Sequence, residues 1–346
     1  MVILGWLVVA GIVTFLIGER AFRWYVQPKI ADIFENVPPF NVLPCEPSPD
    51  AQAVSFVTAD GLTLTGSLLN ADRSNARGLV LFMPELHGRH WMSRRYCEAL
   101  LNEGLVVFSF DFRSQGDSDP QPGYQPIHWM TEFEMTDVAA AMEFIEADAR
   151  LNTLPIMAFG VSRGGVAALL AGCRYPRIRA VIADSAFGTM SMIRFFVDRF
   201  VRHVIPGWVF RLLPMWHVEV TLKNAVALSE VRRGVKYVHL EQEAAGLESS
   251  SVLLISGSRD SYVTPEIAER LREIVGHSSE LWIADGAKHN LSRATRPEEY
   301  DRRILSHATR HLTGPLTQVV SAAHKSNEDC SPGSLDARHQ TVATIH

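Results

Sequence analysis

Cysteine is scarce in this chain. Four occur in 346 residues, at Cys45, Cys97, Cys173 and Cys330, with no CxxC pair and no zinc-ligand spacing. A thiolate metal site is therefore not expected, and a chain of this length folds without disulfide staples. An excess of positive charge is also missing, since 33 Lys and Arg face 38 Asp and Glu for a formal net charge of -5. Nucleic acid needs concentrated basic charge to hold its phosphates, so it is not an expected partner. No convincing internal repeat is present. Apolar residues, by contrast, make up 47% of the chain, enough for a sizeable core and too many for disorder throughout.

Charge is absent altogether from Val2 to Gly18 (VILGWLVVAGIVTFLIG). At a helical rise of about 1.5 Å per residue, this run with Met1 and the next turn is long enough for a thin bilayer. Trp6 and the Trp24-Tyr25 pair suit the two interfaces. No Lys or Arg precedes the run and no small-x-small cleavage site follows it. A retained single-pass anchor over residues 1–20 therefore fits better than a cleaved signal or a buried helix. Arg20, Arg23 and Lys29 follow, against Glu19 and Asp32, and the positive-inside tendency then puts the body on the cytoplasmic side. Residues 21–50 read as a membrane-proximal linker, because Pro38, Pro39, Pro44, Pro47 and Pro49 oppose a helix. After Gly314 the small and polar residues have little to bury, and 313–346 reads as a flexible tail.

Between these ends, residues 51–312 alternate short apolar runs with helical patterns. AVSFVTADGLTLTGSLL predicts a hairpin turning at Asp60-Gly61. Leu79–Met83, Leu105–Phe110, Ile156–Phe159, Ala180–Ile182, Val252–Ile255 and Leu281–Ile283 are strand candidates. Helices are expected over Met92–Glu103 and Met135–Ala147, the second with Val138, Ala141, Met142 and Ile145 on one face. Strands separated by helices imply an α/β class: a mostly parallel sheet with helices on both faces.

The strongest local signal is GVSRGG, Gly160 to Gly165, between the apolar run IMAF and the helix-compatible GVAALLAG. That strand-turn-helix setting is the one a nucleophilic serine occupies, and Gly160 and Gly164 permit the close backbone approach a sharp turn demands. Ser162 then needs a base, and the base needs an orienting acid. His289 (in LWIADGAKHN) and Asp260 (in VLLISGSRDSYV) each follow a strand candidate, where the active edge of an open α/β sheet lies. Asp184, after AVIA, and Asp285, close to His289, are rival acids.

These segments resemble the α/β-hydrolase superfamily in its serine-hydrolase branch, over residues 51–312. The resemblance rests on DGLTLTG, LHGRHW, FDFRSQGDSD, GVSRGG, SGSRDSYV and GAKHN, in the family order; single-helix membrane-anchored members offer a more distant likeness. It implies Ser162, Asp260 and His289 as the triad, with the Arg163 backbone N–H in the oxyanion hole. The second donor would come from the loop His87-Gly88-Arg89-His90, with Arg89 slightly favoured over Leu86. The side chains of His87 and His90 are candidates for substrate contact. Glu85 stands where this loop usually begins with an apolar residue, and Ser114 where the family's D-x-R-G-x-G-x-S run carries glycine. Asp111 and Arg113 are read as structural, through ion pairing and turn formation.

An insertion over about 187–250 begins with SMIRFFVDRFVRHVIPGWVFRLLPMWHV. Ile193, Phe196, Val197, Phe200, Val201 and Val204 fit one helical face, which Pro206-Gly207 interrupts. A helical cap over the site, with Phe196, Phe200 and Trp208 against an acyl chain, competes with ordinary core packing. The function expected is a membrane-anchored serine hydrolase. Its substrate would be a carboxylic ester or thioester, of an acyl-lipid or an acylated protein. The bilayer is the one other partner expected, and neither a metal nor an organic cofactor is required. An amidase or peptidase, or a noncatalytic binding protein on the same fold, are the alternatives.

Overall fold

The structure, a computed structural model, describes residues 2–37, 42–73, 75–203, 205–249, 251–276 and 278–312. The expected tail at 313–346, with Cys330, lies outside them, as do Pro38, Pro39 and Val204.

Among the described residues, eight strands form one sheet: β1 (Gln52–Val57), β2 (Thr63–Leu69), β3 (Leu79–Met83), β4 (Val106–Phe110), β5 (Ile156–Val161), β6 (Ile178–Asp184), β7 (Ser251–Gly257) and β8 (Glu280–Ala284). Their order is β1-β2-β4-β3-β5-β6-β7-β8. β2 runs antiparallel to β1 and β4, and every other pairing is parallel. The apolar runs LVLFM and IMAFGV are buried along their whole length, as strands covered on both faces must be. The β1–β2 turn uses Gly61 at φ +88, a conformation that a side chain would strain. β4 and β5 lie on opposite sides of β3, so the chain reverses its winding there and opens a crevice at the strand C-termini.

Helices α1 (Val2–Glu35), α2 (Ser93–Asn102), α3 (Glu132–Ala147), α4 (Arg163–Arg174), α5 (Thr189–Phe200), α6 (Gly207–Leu212), α7 (Met215–Arg233), α8 (Leu240–Glu243), α9 (Pro265–Val275), α10 (Ser292–Thr295) and α11 (Pro297–Leu312) complete the fold. Tyr96 and Leu100 of α2 share a core with Tyr300 and Ile304 of α11 on one face of the sheet. Val138 of α3, Leu169 of α4 and Leu271 of α9 belong to the core of the other face. α3 starts with a capping box, in which Thr131 and Glu134 bond one another's backbone amides. α5 to α8 form the insertion between β6 and β7. Ile193, Phe196, Val197 and Val201 are buried there as the helical face predicted, whereas Phe200 stays 38% exposed.

The first helix departs from the sequence expectation. It does not stop near residue 20 but continues to Glu35, so the linker expected over 21–50 is helical in its first half. The reason is a stripe at four-residue spacing, Phe22, Val26, Ile30 and Phe34, which packs against α5 and α7. Burial of that stripe outweighs the amide hydrogen that Pro28 lacks. Trp129 Nε1 donates to the Phe34 carbonyl at 2.9 Å, and the two rings stack at 4.6 Å. Glu19 Oε2 meets His217 Nε2 at 2.6 Å, and Asp32 pairs with Arg232 at 2.8 Å. From Ile3 to Ile17 the same helix exposes its apolar side chains, and by length and composition it could cross a membrane.

Candidate active site

The turn from β5 into α4 carries Ser162 at φ 52 and ψ -118, strained values for a residue with a side chain. Two neighbouring glycines make the turn possible. A methyl group on Gly160 would overlap the Gly164 carbonyl, and one on Gly164 would overlap the carbonyls of Met83 and Pro84. Ser162 N–H donates to the Asp184 carbonyl at 2.7 Å, so the end of β6 holds the turn in place.

The β7 and β8 loops converge on this serine. Ser162 Oγ lies 3.0 Å from His289 Nε2, and His289 Nδ1 lies 2.7 Å from Asp260 Oδ2. The other Asp260 oxygen accepts the backbone amides of Tyr262 at 2.8 Å and Val263 at 2.9 Å, which fixes the carboxylate plane. The two loops are joined by Arg259 N–H to the Ala287 carbonyl at 2.8 Å and by Gly286 N–H to Ser258 Oγ at 2.8 Å. Ser162 is fully buried and Asp260 nearly so. Such a chain can move the hydroxyl proton to the imidazole and leave the resulting positive charge beside a carboxylate.

The rival acids sit elsewhere. Asp285 is exposed and pairs with Arg296 at 3.0 Å. Asp184 is buried, and its carboxylate accepts from Tyr300 at 3.0 Å, Ser185 at 3.0 Å and Ser292 at 3.3 Å. Burial, opposed by those hydroxyls, raises its pKa to about 6. Through Ser185, whose Oγ accepts the Asn290 amide at 3.3 Å, Asp184 also supports the histidine loop.

The loop after β3 differs in detail from the expectation. His87 adopts φ 64, is exposed, and its amide donates to Gln115 Oε1 at 2.8 Å. Gly88 N–H returns to the Glu85 carbonyl at 2.8 Å. His90 is buried and its polar atoms are engaged: its amide donates to Asp111 at 2.6 Å and its Nδ1 lies 2.8 Å from Ser67 Oγ. His90, Asp111 and Asp117 bring their ligand atoms within 4.8 Å of one another. Arg89 already supplies the cation there, 2.7 Å from Asp117 and 3.9 Å from Asp111. Arg113 is buried between Asp60 at 2.6 Å and Asp137 at 2.7 Å, which matches its structural reading. Ser114 takes φ 58, the conformation that explains why the family pattern has glycine at that position.

Three features escaped the sequence reading. The Arg163 side chain, directly after the nucleophile, is buried and pairs with Glu134 at 2.6 Å. Glu134 also accepts from the Tyr124 hydroxyl; the T-x-x-E spacing of Thr131 and Glu134 was the available signal. Glu85 is buried near His289, Asp184 and Arg95, and burial raises its carboxyl pKa to about 7. The third feature is the docked half of α1, which brings Phe34 onto Trp129, whose carbonyl accepts from the Arg163 side chain at 3.4 Å. Of the proposed substrate contacts, Phe196 and Phe200 line a cavity beside the acid loop. Trp208 is 68% exposed on α6 and does not reach it.

A family profile described as "Serine aminopeptidase, S33" matches residues 74–238. No curated protein sequence matches the chain. Among solved structures, an esterase of Pyrococcus furiosus superposes with a TM-score of 0.58 at 22% identity, covering 80% of this chain and 97% of that one. The α/β hydrolase GrgF from Penicillium sp. sh18 gives a TM-score of 0.56 at 18% identity, covering 76% and 99%. An enol-lactonase from Burkholderia xenovorans LB400 gives 0.50 at 16% identity, covering 74% and 100%. At these identities the solved structures share the fold.

Proposed function

We propose that this chain, which shares the α/β-hydrolase fold and matches a serine-hydrolase family profile over residues 74–238, is a serine hydrolase of that superfamily and cleaves a carboxylic ester or thioester with Ser162, His289 and Asp260 as its triad. The observation that carries this reading is the hydrogen-bonded chain from Ser162 Oγ through His289 to Asp260, at 3.0 and 2.7 Å. His289 Nε2 takes the serine proton as Oγ attacks the carbonyl carbon, while Asp260 keeps the imidazole in the tautomer with hydrogen on Nδ1. The tetrahedral oxyanion receives the Arg163 backbone N–H. The second donor is the Leu86 amide rather than Arg89. Leu86 lies two residues after Pro84, whose carbonyl borders Gly164 of the elbow, whereas Arg89 starts a 3-10 turn leading into α2. The alcohol or thiol leaves with the proton from His289, and water activated by the same nitrogen releases the acid.

The first half of α1 is the membrane anchor in this reading, supported by its exposed apolar side chains from Ile3 to Ile17. Arg20, Arg23 and Lys29 favour a cytoplasmic body. The insertion α5–α8 acts as the cap, and the substrate is an acyl-lipid or acylated protein. An amidase or peptidase is the second reading, favoured by the description of the matching family profile. The same nucleophile attacks both carbonyls.

The full chain in nonionic detergent, treated with a fluorophosphonate probe, should label at Ser162 and lose the label in Ser162→Ala. A folded chain that does not label would sink the reading. Matched p-nitrophenyl esters and aminoacyl p-nitroanilides then separate the two: turnover of the anilides alone would replace the esterase with a peptidase.

A further inference from the structure

A cavity of about 620 Å³ lies between the distal end of α1 and the outer part of α5. Ile33 and Val37 form one wall and Phe196 and Phe200 the other. Its inner border is Tyr262, whose ring centre stands 5.6 Å from that of His289 and whose amide helps hold Asp260. The cavity is thus next to the acid–base end of the candidate triad. Its size suits a ligand of moderate length rather than a single water or ion.

Charge at the rim is one-sided. Asp32 lines the cavity but is paired with Arg232 of α7. Arg199 and His203 also line it, and among the described residues Arg199 makes no ion pair. An apolar slot with an uncompensated guanidinium at its mouth fits a molecule that is hydrocarbon at one end and anionic at the other.

We propose that this cavity binds an amphiphilic ester, its hydrocarbon chain between α1 and α5 and its anionic group on Arg199. The proposal rests on the reading of Ser162 as an acyl-transfer nucleophile. Helix α1 then has two roles, because the helix that carries the apolar N-terminal run also builds a wall of the substrate site. The anion can belong to the acyl part or to the leaving group, since either end could reach the rim.

The test uses the full chain in nonionic detergent and three chromogenic esters. p-Nitrophenyl hexanoate is neutral, mono-p-nitrophenyl adipate carries its carboxylate on the acyl side, and 3-carboxy-4-nitrophenyl hexanoate carries it on the leaving group. One anionic ester should exceed the neutral one in kcat/KM by about tenfold, the scale expected for a charge-assisted contact. Which ester it is identifies the anionic side. Arg199→Gln should abolish that ratio, Arg199→Lys should keep most of it, and Val37→Trp should raise KM for p-nitrophenyl hexanoate while leaving KM for p-nitrophenyl acetate, added as a short-chain control, unchanged. A wild-type chain that prefers neither anionic ester overturns the proposal, as does an Arg199→Gln chain that keeps the ratio.

Failure of the premise is visible separately. If the wild-type chain takes no fluorophosphonate, the nucleophile reading has failed. Calorimetric binding to Ser162→Ala of monomethyl adipate against methyl hexanoate, and of 3-carboxyphenyl hexanoate against phenyl hexanoate, then decides the subsite for either anionic side without turnover. Preference for the anion that vanishes with Arg199→Gln supports it; equal binding overturns it.

Discussion

The main-chain carbonyl of Asp184 accepts the Ser162 amide at 2.7 Å, while its buried carboxylate reaches the histidine loop through Ser185. One residue at the end of β6 therefore supports both the strained serine and the loop that carries its partner. The arrangement also explains why Asp184 is unsuited to orient His289. Its oxygens are occupied by Tyr300, Ser185 and Ser292.

The acids can be separated by substitution. Asp260→Asn should lower kcat by about 10⁴, because the amide no longer favours the imidazole tautomer that accepts from serine. Asp285→Asn should leave kcat near wild type, since that carboxylate is exposed and bonded to Arg296. Steady-state hydrolysis of a p-nitrophenyl ester checks both. A large loss in Asp285→Asn with little in Asp260→Asn would reverse the assignment.

Glu85 should make stability depend on pH. Burial raises its carboxyl from 4.5 to about 7, so the folded chain holds this proton to higher pH than the unfolded chain. Its contribution is full below about pH 4.5 and is lost as pH rises through about 7. Glu85→Gln removes the buried charge. Urea unfolding should show little difference from wild type near pH 4 and a gain of up to about 3 kcal/mol near pH 8. An equal offset at both values would mean that the carboxyl does not titrate in this range.

The Arg163–Glu134 pair lies out of solvent, at 1% and 0% side-chain exposure. Glu134→Gln should destabilise the chain by about 3–5 kcal/mol, because a buried guanidinium loses its counter-charge. Replacing both partners together, as Arg163→Met with Glu134→Met, should recover part of that loss. Chemical denaturation of the single and double variants measures the coupling, and simple additivity would contradict it.

Phe34 tests whether the second half of α1 belongs to the hydrolase core. Its ring is 3% exposed, stacks on Trp129 and meets Tyr237 edge-on at 5.1 Å. Phe34→Ala should cost about 3–5 kcal/mol, whereas Ile12→Ala on the exposed half should not alter unfolding in detergent. Equal, small effects would show α1 to be a tether rather than a wall.

Much of this molecule is legible in its sequence. Runs such as LVLFM and IMAFGV announce buried parallel strands, because both faces of such a strand must be apolar. GVSRGG marks the elbow since only glycine fits where backbone meets backbone, and the order Ser162, Asp260, His289 follows from strand succession. Local pattern was silent where partners are distant. Asp184, Asp260 and Asp285 all follow strands, and only the convergence of the β7 and β8 loops brings one of them to His289 Nδ1. The stripe at Phe22, Val26, Ile30 and Phe34 was present in the sequence, yet the prolines after it spoke for a linker until α5 and α7 supplied a surface to cover. Chain order by itself determined the strands, the elbow and the candidate residues, since those depend on neighbours a few positions apart. Tertiary structure decided which acid pairs with His289, what holds Arg163 and Glu85 out of water, and that the N-terminal helix docks on α5 and α7, because burial and charge are set by residues that lie beyond the reach of local sequence pattern.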